Sequence, residues 1–122
     1  MTVWGTGTPR REFLHVDDMA SACLFLMENY NDGEIVNIGT GEDVTIWELA
    51  ETICRETGYG GKIEFDSSLP DGTPRKLLDV SRMNRLGWKA SIGLNKGIRA
   101  TIKWYEQHEQ LNPVSVEHRA GR

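Results

Sequence analysis

The chain has 122 residues, 39% of them hydrophobic and 26% charged, with a net charge of −4. That composition suits one ordinary soluble globular domain and argues against a disordered chain or two full domains. No apolar run approaches the ~20 residues that span a bilayer, the N-terminus lacks the basic and apolar regions of a signal peptide, and the acidic balance disfavours a general nucleic-acid or anionic-membrane binder. The first expected element is a short strand over Glu12 to Val16, after which Asp17 and Asp18 offer an N-cap for a helix running to about Asn29. Met19, Ala20, Ala22, Cys23, Leu24, Phe25, Leu26 and Met27 make that helix almost apolar all round. A helix with one wet side shows a polar stripe, so this one is expected to be covered on more than one side. Asn31-Asp32-Gly33 marks a turn, and Glu34 to Ile38 reads as a second strand ending at Gly39-Thr40-Gly41.

Thr45 and Glu48 form the sequence signature of a capping box. The helix behind it places Ile46, Leu49, Ala50, Ile53, Cys54 and Thr57 on one face and Glu48, Glu51, Arg55 and Glu56 on the other, with Gly58 as its stop. Lys62 to Asp66 alternates as a half-buried strand, and Ser67 to Lys76 is a polar loop with Pro70, Gly72 and Pro74. A short helix follows Asp79 and closes at Gly87. A last helix begins near Gly93 with Leu94, Ile98, Ile102 and Tyr105 at helical spacing. The expected class is α/β, with α+β as the alternative, built from three short strands and about four helices. Residues 1–110 form the domain, and 111–122 read as a polar, disordered tail. Cys23 and Cys54 are too few for a disulfide framework and read as two reduced, buried thiols of a cytoplasmic protein.

One pattern stands out. Gly7-Thr8-Pro9-Arg10-Arg11 recurs as Gly72-Thr73-Pro74-Arg75-Lys76. Each copy sets two cations behind a proline that holds the backbone extended, which suits a small polyanion such as a diphosphate. Exposed turns with solvated charges produce the same pattern. Trp4 lies one short loop from Arg11, where it can stack on a base, wall off a sugar or simply pack. Asp71 can accept from sugar hydroxyls or serve as the turn aspartate before Gly72.

Complete catalytic sets are missing from the pattern. The dinucleotide fingerprint needs a glycine where Val44 stands after Gly39-Thr40-Gly41, and no phosphate-loop Gly-Lys-Ser/Thr follows. Those glycines read as turn residues. His15 and Asp17 share a strand face only if the strand continues through Asp17, so His15 reads as a hydrogen-bonded structural residue. No nucleophile elbow and no zinc-type histidine pair occur. A metal site and a catalytic residue are both expected to be absent.

The segment Val3 to Ala20, with Arg10-Arg11-Glu12-Phe13-Leu14-His15-Val16-Asp17-Asp18 at its centre, resembles the C-terminal part of extended short-chain dehydrogenase/reductases. Val36-Asn37-Ile38-Gly39-Thr40-Gly41 fits the same superfamily. Asp71 to Asp79 and Leu86-Gly87-Trp88 narrow the likeness to the GDP-L-fucose synthases, NADP-dependent epimerase-reductases acting on GDP-4-keto-6-deoxy-mannose. The resemblance covers about Val3 to Gln107. It implies contact of Trp4, Arg11 and Asp71 with the nucleotide sugar, with Arg75 and Lys76 beside them. It also implies a homo-oligomer, or a missing N-terminal half. The family's cofactor loop, its Ser and Tyr-x-x-x-Lys set and its epimerising Cys and His have no match here. The tyrosines Tyr30, Tyr59 and Tyr105 are followed four residues on by Glu34, Ile63 and Glu109. The expectation is a nucleotide-sugar-binding portion that binds no NADP(H) and does no chemistry alone. The alternatives are a stand-alone binding or oligomerisation module, and the equivalent part of a UDP- or dTDP-sugar epimerase.

Overall fold

The computed structural model describes residues 1–109, so the expected 111–122 tail lies outside the described residues. Four helices and five short strands form a mixed α/β unit, with the strands in two small sheets. In the first sheet, β1 (Thr2–Trp4) pairs in parallel with β4 (Glu64–Asp66). In the second, β2 (Arg10–Arg11) lies between β3 (Val44–Thr45) and β5 (Arg75–Lys76), antiparallel to the former and parallel to the latter.

The expected strand at Glu12 to Val16 is not formed: pairing ends at Arg11, and helix α1 (Val16–Asn29) begins at Val16. His15 rather than an aspartate is the N-cap, its Nδ1 accepting from the Asp17 N–H at 3.2 Å. Asp18 instead turns inward. Its buried carboxylate accepts from Ser91 N–H, Ser91 Oγ and Ile92 N–H at 3.1, 3.0 and 2.8 Å. Burial presses the Asp18 pKa upward, but the hydrogen bonds from Ile92 and Ser91 outweigh it and hold the carboxyl below its usual range. The second expected strand, Glu34 to Ile38, is not formed: Glu34 lies in a bend and no described strand pairs with the residues after it.

Helix α2 (Ile46–Thr57) follows its local code. Thr45 Oγ1 accepts from Glu48 N–H, the Glu48 carboxylate accepts from Thr45 N–H, and Gly58 closes the helix in the left-handed region at φ 70°. The expected loop 67–76 ends in β5. The short helix α3 (Ser81–Leu86) stops at Gly87, and α4 (Leu94–Glu109) begins one residue past Gly93. Glu56, placed on the wet face of α2 by its period, is drawn between helices. Its carboxylate takes Arg99 of α4 at 2.8 Å, which holds it below the usual range, and Arg55 at 3.5 Å.

The core is small: Ala22 of α1, Met83 of α3 and Trp88, with Leu14, Phe25, Leu26, Val36, Ile38 and Ala90 packed around them. It covers one side of α1 only. Leu24 is 62% exposed, Met27 81% and the neighbouring Ile35 86%, and Cys23 is exposed rather than buried. The apolar second side of α1 is therefore present but uncovered by the described residues. No helix among the described residues is long and apolar enough to cross a membrane.

Candidate functional site

The two copies of the Gly-Thr-Pro-Arg motif meet in space. β2 and β5 run parallel in register, with Arg10 opposite Arg75 and Arg11 opposite Lys76, and Arg10 N–H donates to the Pro74 carbonyl at 2.8 Å. The first motif is also held from behind, where Ile46 N–H and Trp47 N–H at the start of α2 donate to the carbonyls of Pro9 and Gly7. Trp47 stacks on Phe65 of β4 with centroids 4.7 Å apart, and Phe65 fills the space beside Gly7.

Strand alternation sorts the cations onto two faces. On one face, Arg10 Nε and Arg75 Nε each take one oxygen of Asp43, at 2.8 and 2.5 Å, and Arg10 Nη2 also donates to the Asp43 carbonyl at 3.0 Å. The Asp43 side chain is only 5% exposed, and the two guanidiniums, Arg75 foremost, hold its carboxyl below the usual range. On the other face, Arg11 and Lys76 line a shared cavity of about 460 Å3 with Glu12, Leu77 and Leu78. Neither is ion-paired to a carboxylate among the described residues. The Arg11 guanidinium is aimed by one hydrogen bond, from Nη1 to the Arg10 carbonyl at 2.7 Å.

The remaining candidates gather at the same end. Asp71 Oδ1 accepts from Thr6 N–H at 2.8 Å and Oδ2 from Thr6 Oγ1 at 2.7 Å, which keeps the carboxyl below its usual range. Asp71 stays exposed, so its other lone pairs face solvent. Gly5, at φ 81°, lets the Asp71 carboxylate sit where a Cβ would stand. Arg11 Nη2 lies 2.9 Å from the position a Cβ of Gly72 would take. Asp71 thus abuts the neighbour of Trp4, and its own neighbour abuts Arg11. Trp4 is 73% exposed, its ring presented rather than packed. Arg11 and Lys76 share one cavity, the Asp71–Gly72 turn lies between Arg11 and Gly5, the neighbour of Trp4, and Arg75 has its Nε on Asp43.

Two carboxylates that organise this region escaped the sequence reading. Asp43 is one. Glu12 is the other: Oε1 accepts from Gly41 N–H at 2.6 Å and Thr40 Oγ1 at 3.3 Å, and Oε2 from Leu78 N–H at 3.1 Å. Neither residue belongs to a recognisable spacing, since their partners lie up to 66 residues away. Glu12 also explains the Gly39-Thr40-Gly41 turn. Its carboxylate fills the space at Gly39 and takes the Gly41 amide, so the turn does not fit a dinucleotide pyrophosphate. Among the described residues, no cluster of His, Cys, Asp and Glu suits a metal ion.

The chain is similar to known proteins along most of its length. Residues 1–39 match the NAD dependent epimerase/dehydratase family. Over 108 residues the chain is 53% identical to a probable GDP-L-fucose synthase 1 of Oryza sativa, covering 88% of this chain and 33% of that protein. A GDP-L-fucose synthetase from Naegleria fowleri, solved bound to NADP, superimposes with a TM-score of 0.84 at 27% identity over 89% of this chain and 35% of that one. A UDP-glucose 4-epimerase from Thermotoga maritima, solved with UDP-glucose, gives 0.80 at 28% identity, over 88% of this chain and 35% of its own. The chain thus spans about a third of the length of the relatives it matches. The likeness runs through nearly all of the described residues rather than one motif: this chain is homologous to about a third of the GDP-L-fucose synthases' length, and its residues 1–39 match the NAD dependent epimerase/dehydratase family.

Proposed function

We propose that this chain is the nucleotide-sugar-binding portion of a GDP-L-fucose synthase-like epimerase-reductase, taking a ligand of the GDP-4-keto-6-deoxy-mannose type. The observation that carries the reading is the pair of Arg11 and Lys76, in register on one face and without an ion pair among the described residues, on a chain that is acidic overall. Two cations on adjacent strands repel each other and gain most from a doubly charged linker bridging both. In this reading Arg11 and Lys76 neutralise the diphosphate, Trp4 flanks the base or sugar, and Asp71 accepts from a hydroxyl. Reduction and epimerisation need a bound nicotinamide and a positioned acid, and these 122 residues contain no Tyr-x-x-x-Lys to supply the acid. NADP(H) belongs to the complete family enzyme, and no residue of this chain is assigned to it.

The test is calorimetric titration of the 122-residue chain with GDP, UDP and dTDP, beside an assay with NADPH and the keto-sugar. Binding of GDP in preference to the others, lost by tenfold or more in Arg11→Ala, is expected. Indifference to GDP overturns the ligand assignment and favours a UDP- or dTDP-sugar relative, while turnover above background overturns the non-catalytic reading. A second reading, a stand-alone binding or oligomerisation module, draws support from the exposed Leu24, Met27 and Ile35. Light scattering separates the two, since a stable monomer at high concentration counts against it.

A further inference from the structure

We propose that Asp43 is a positioning residue for the phosphate site, clamping Arg10 and Arg75 so that Arg11 and Lys76 emerge side by side on the opposite face. This rests on the diphosphate reading above and adds to it the residue that sets the cation spacing.

The geometry carries the argument. β2 and β5 pair over only two residues each, a contact too short to specify its own register. A slip of β5 by one residue would move Lys76 across to the Asp43 face and leave Arg11 alone. The Glu12–Leu78 and Thr6–Asp71 hydrogen bonds tie the flanking segments, and within the strand pair itself the slip is opposed by one carboxylate with an oxygen for each strand: Asp43 Oδ1 on Arg10 Nε, Oδ2 on Arg75 Nε. Asp43 is itself tied to β2, because it leads into β3, whose Val44 and Thr45 pair with Arg11 and Arg10. The Asp43 carboxylate offsets part of the like-charge repulsion between Arg10 and Arg75 on that face, and Arg11 and Lys76 on the other have no ion pair among the described residues.

The inference makes a prediction of unusual sign. Removing a negative charge near an anion site ordinarily strengthens anion binding, and freeing Arg75 would strengthen it further if Arg75 itself contacted phosphate. A positioning role predicts the reverse. The experiment is titration of the 122-residue chain, wild type and Asp43→Asn, with GDP and with GMP, folding being checked by circular dichroism. Asp43→Asn is expected to weaken GDP binding by about tenfold and GMP binding much less, because a second phosphate is what needs both cations in register. Arg10→Lys, which keeps every charge and loses only the planar fork, is expected to weaken GDP in the same selective way, and it serves if Asp43→Asn does not fold. Unchanged or tighter GDP binding in a folded Asp43→Asn, or an unchanged GDP-to-GMP ratio in Arg10→Lys, overturns the proposal and leaves the diphosphate reading standing. A wild-type chain that ignores GDP overturns both.

Discussion

Arg10 and Arg75 are Cα partners across parallel strands, and each reaches its own oxygen of the same aspartate, Asp43. Two arginines 65 positions apart in a repeated motif are thereby made into one structural unit, and the residue after each is turned toward the shared cavity. The same contact has a pH signature. The Asp43 pKa is lowered in the folded state, so its stabilising contribution is fully present above the unfolded value of about 3.9 and is lost as pH falls through the lower folded value. The melting-temperature gap between wild type and Asp43→Asn is expected to be constant from pH 7 to about 5 and to close below about pH 4. A gap that persists undiminished at pH 2.5 contradicts this assignment.

Glu12 joins three segments through backbone and side-chain donors at Thr40, Gly41 and Leu78. Glu12→Ala leaves the part-buried Thr40 and Gly41 donors and the exposed Leu78 amide without the carboxylate and is expected to cost about 1–3 kcal/mol in urea denaturation. Glu12→Gln, which keeps one carbonyl oxygen, costs less. A neutral Glu12→Ala would mean that water replaces the carboxylate at no cost.

Met83 is the largest side chain the fold hides completely, between Ala22 and Trp88. With so small a core, Met83→Ala is expected to lose about 2–5 kcal/mol, enough to populate the unfolded state at room temperature. Asp18→Ala, which unties α1 from Ser91 and Ile92, is expected to lower the melting temperature by at least about 5 °C. Ser91 and Ile92 line a cavity with Arg11, so only Met83→Ala is expected to leave the GDP affinity of the folded fraction unchanged.

Leu24 and Met27 stand three residues apart on the uncovered side of α1. Leu24→Glu with Met27→Glu is expected to reduce concentration-dependent light scattering while leaving helix content unchanged, because no described core residue is removed. Equal scattering by both proteins would show that association runs through another surface.

The expected strand at Glu34 to Ile38 and the observed strand at Arg10 to Arg11 show what a linear pattern can and cannot carry. The first has suitable strand residues and no partner; the second is two arginines with partners on both sides. A ladder is a property of pairs, so apolar alternation is neither needed nor enough for it. His15 shows the same limit at a helix start: two aspartates with good capping character lost the position because Asp18 was worth more inward, against the Ser91–Ile92 turn.

By itself the sequence determined the elements whose signals span a single turn: the Thr45–Glu48 capping box, the Gly58 and Gly87 stops, the end of α1 at Asn29 and the start of α4. It also determined which side chains could meet an anion, because the repeated motif is written in adjacent letters. Tertiary structure alone decided which of those cations are ion-paired among the described residues. Arg10 and Arg75 are spent on Asp43 and Arg11 and Lys76 are not, and that division follows from strand alternation and a register set by contacts up to 65 residues long. Local hydrogen bonds and helical periods act within about four residues and can be read in order along the chain. A charge balance between distant strands exists only once the chain has brought them together.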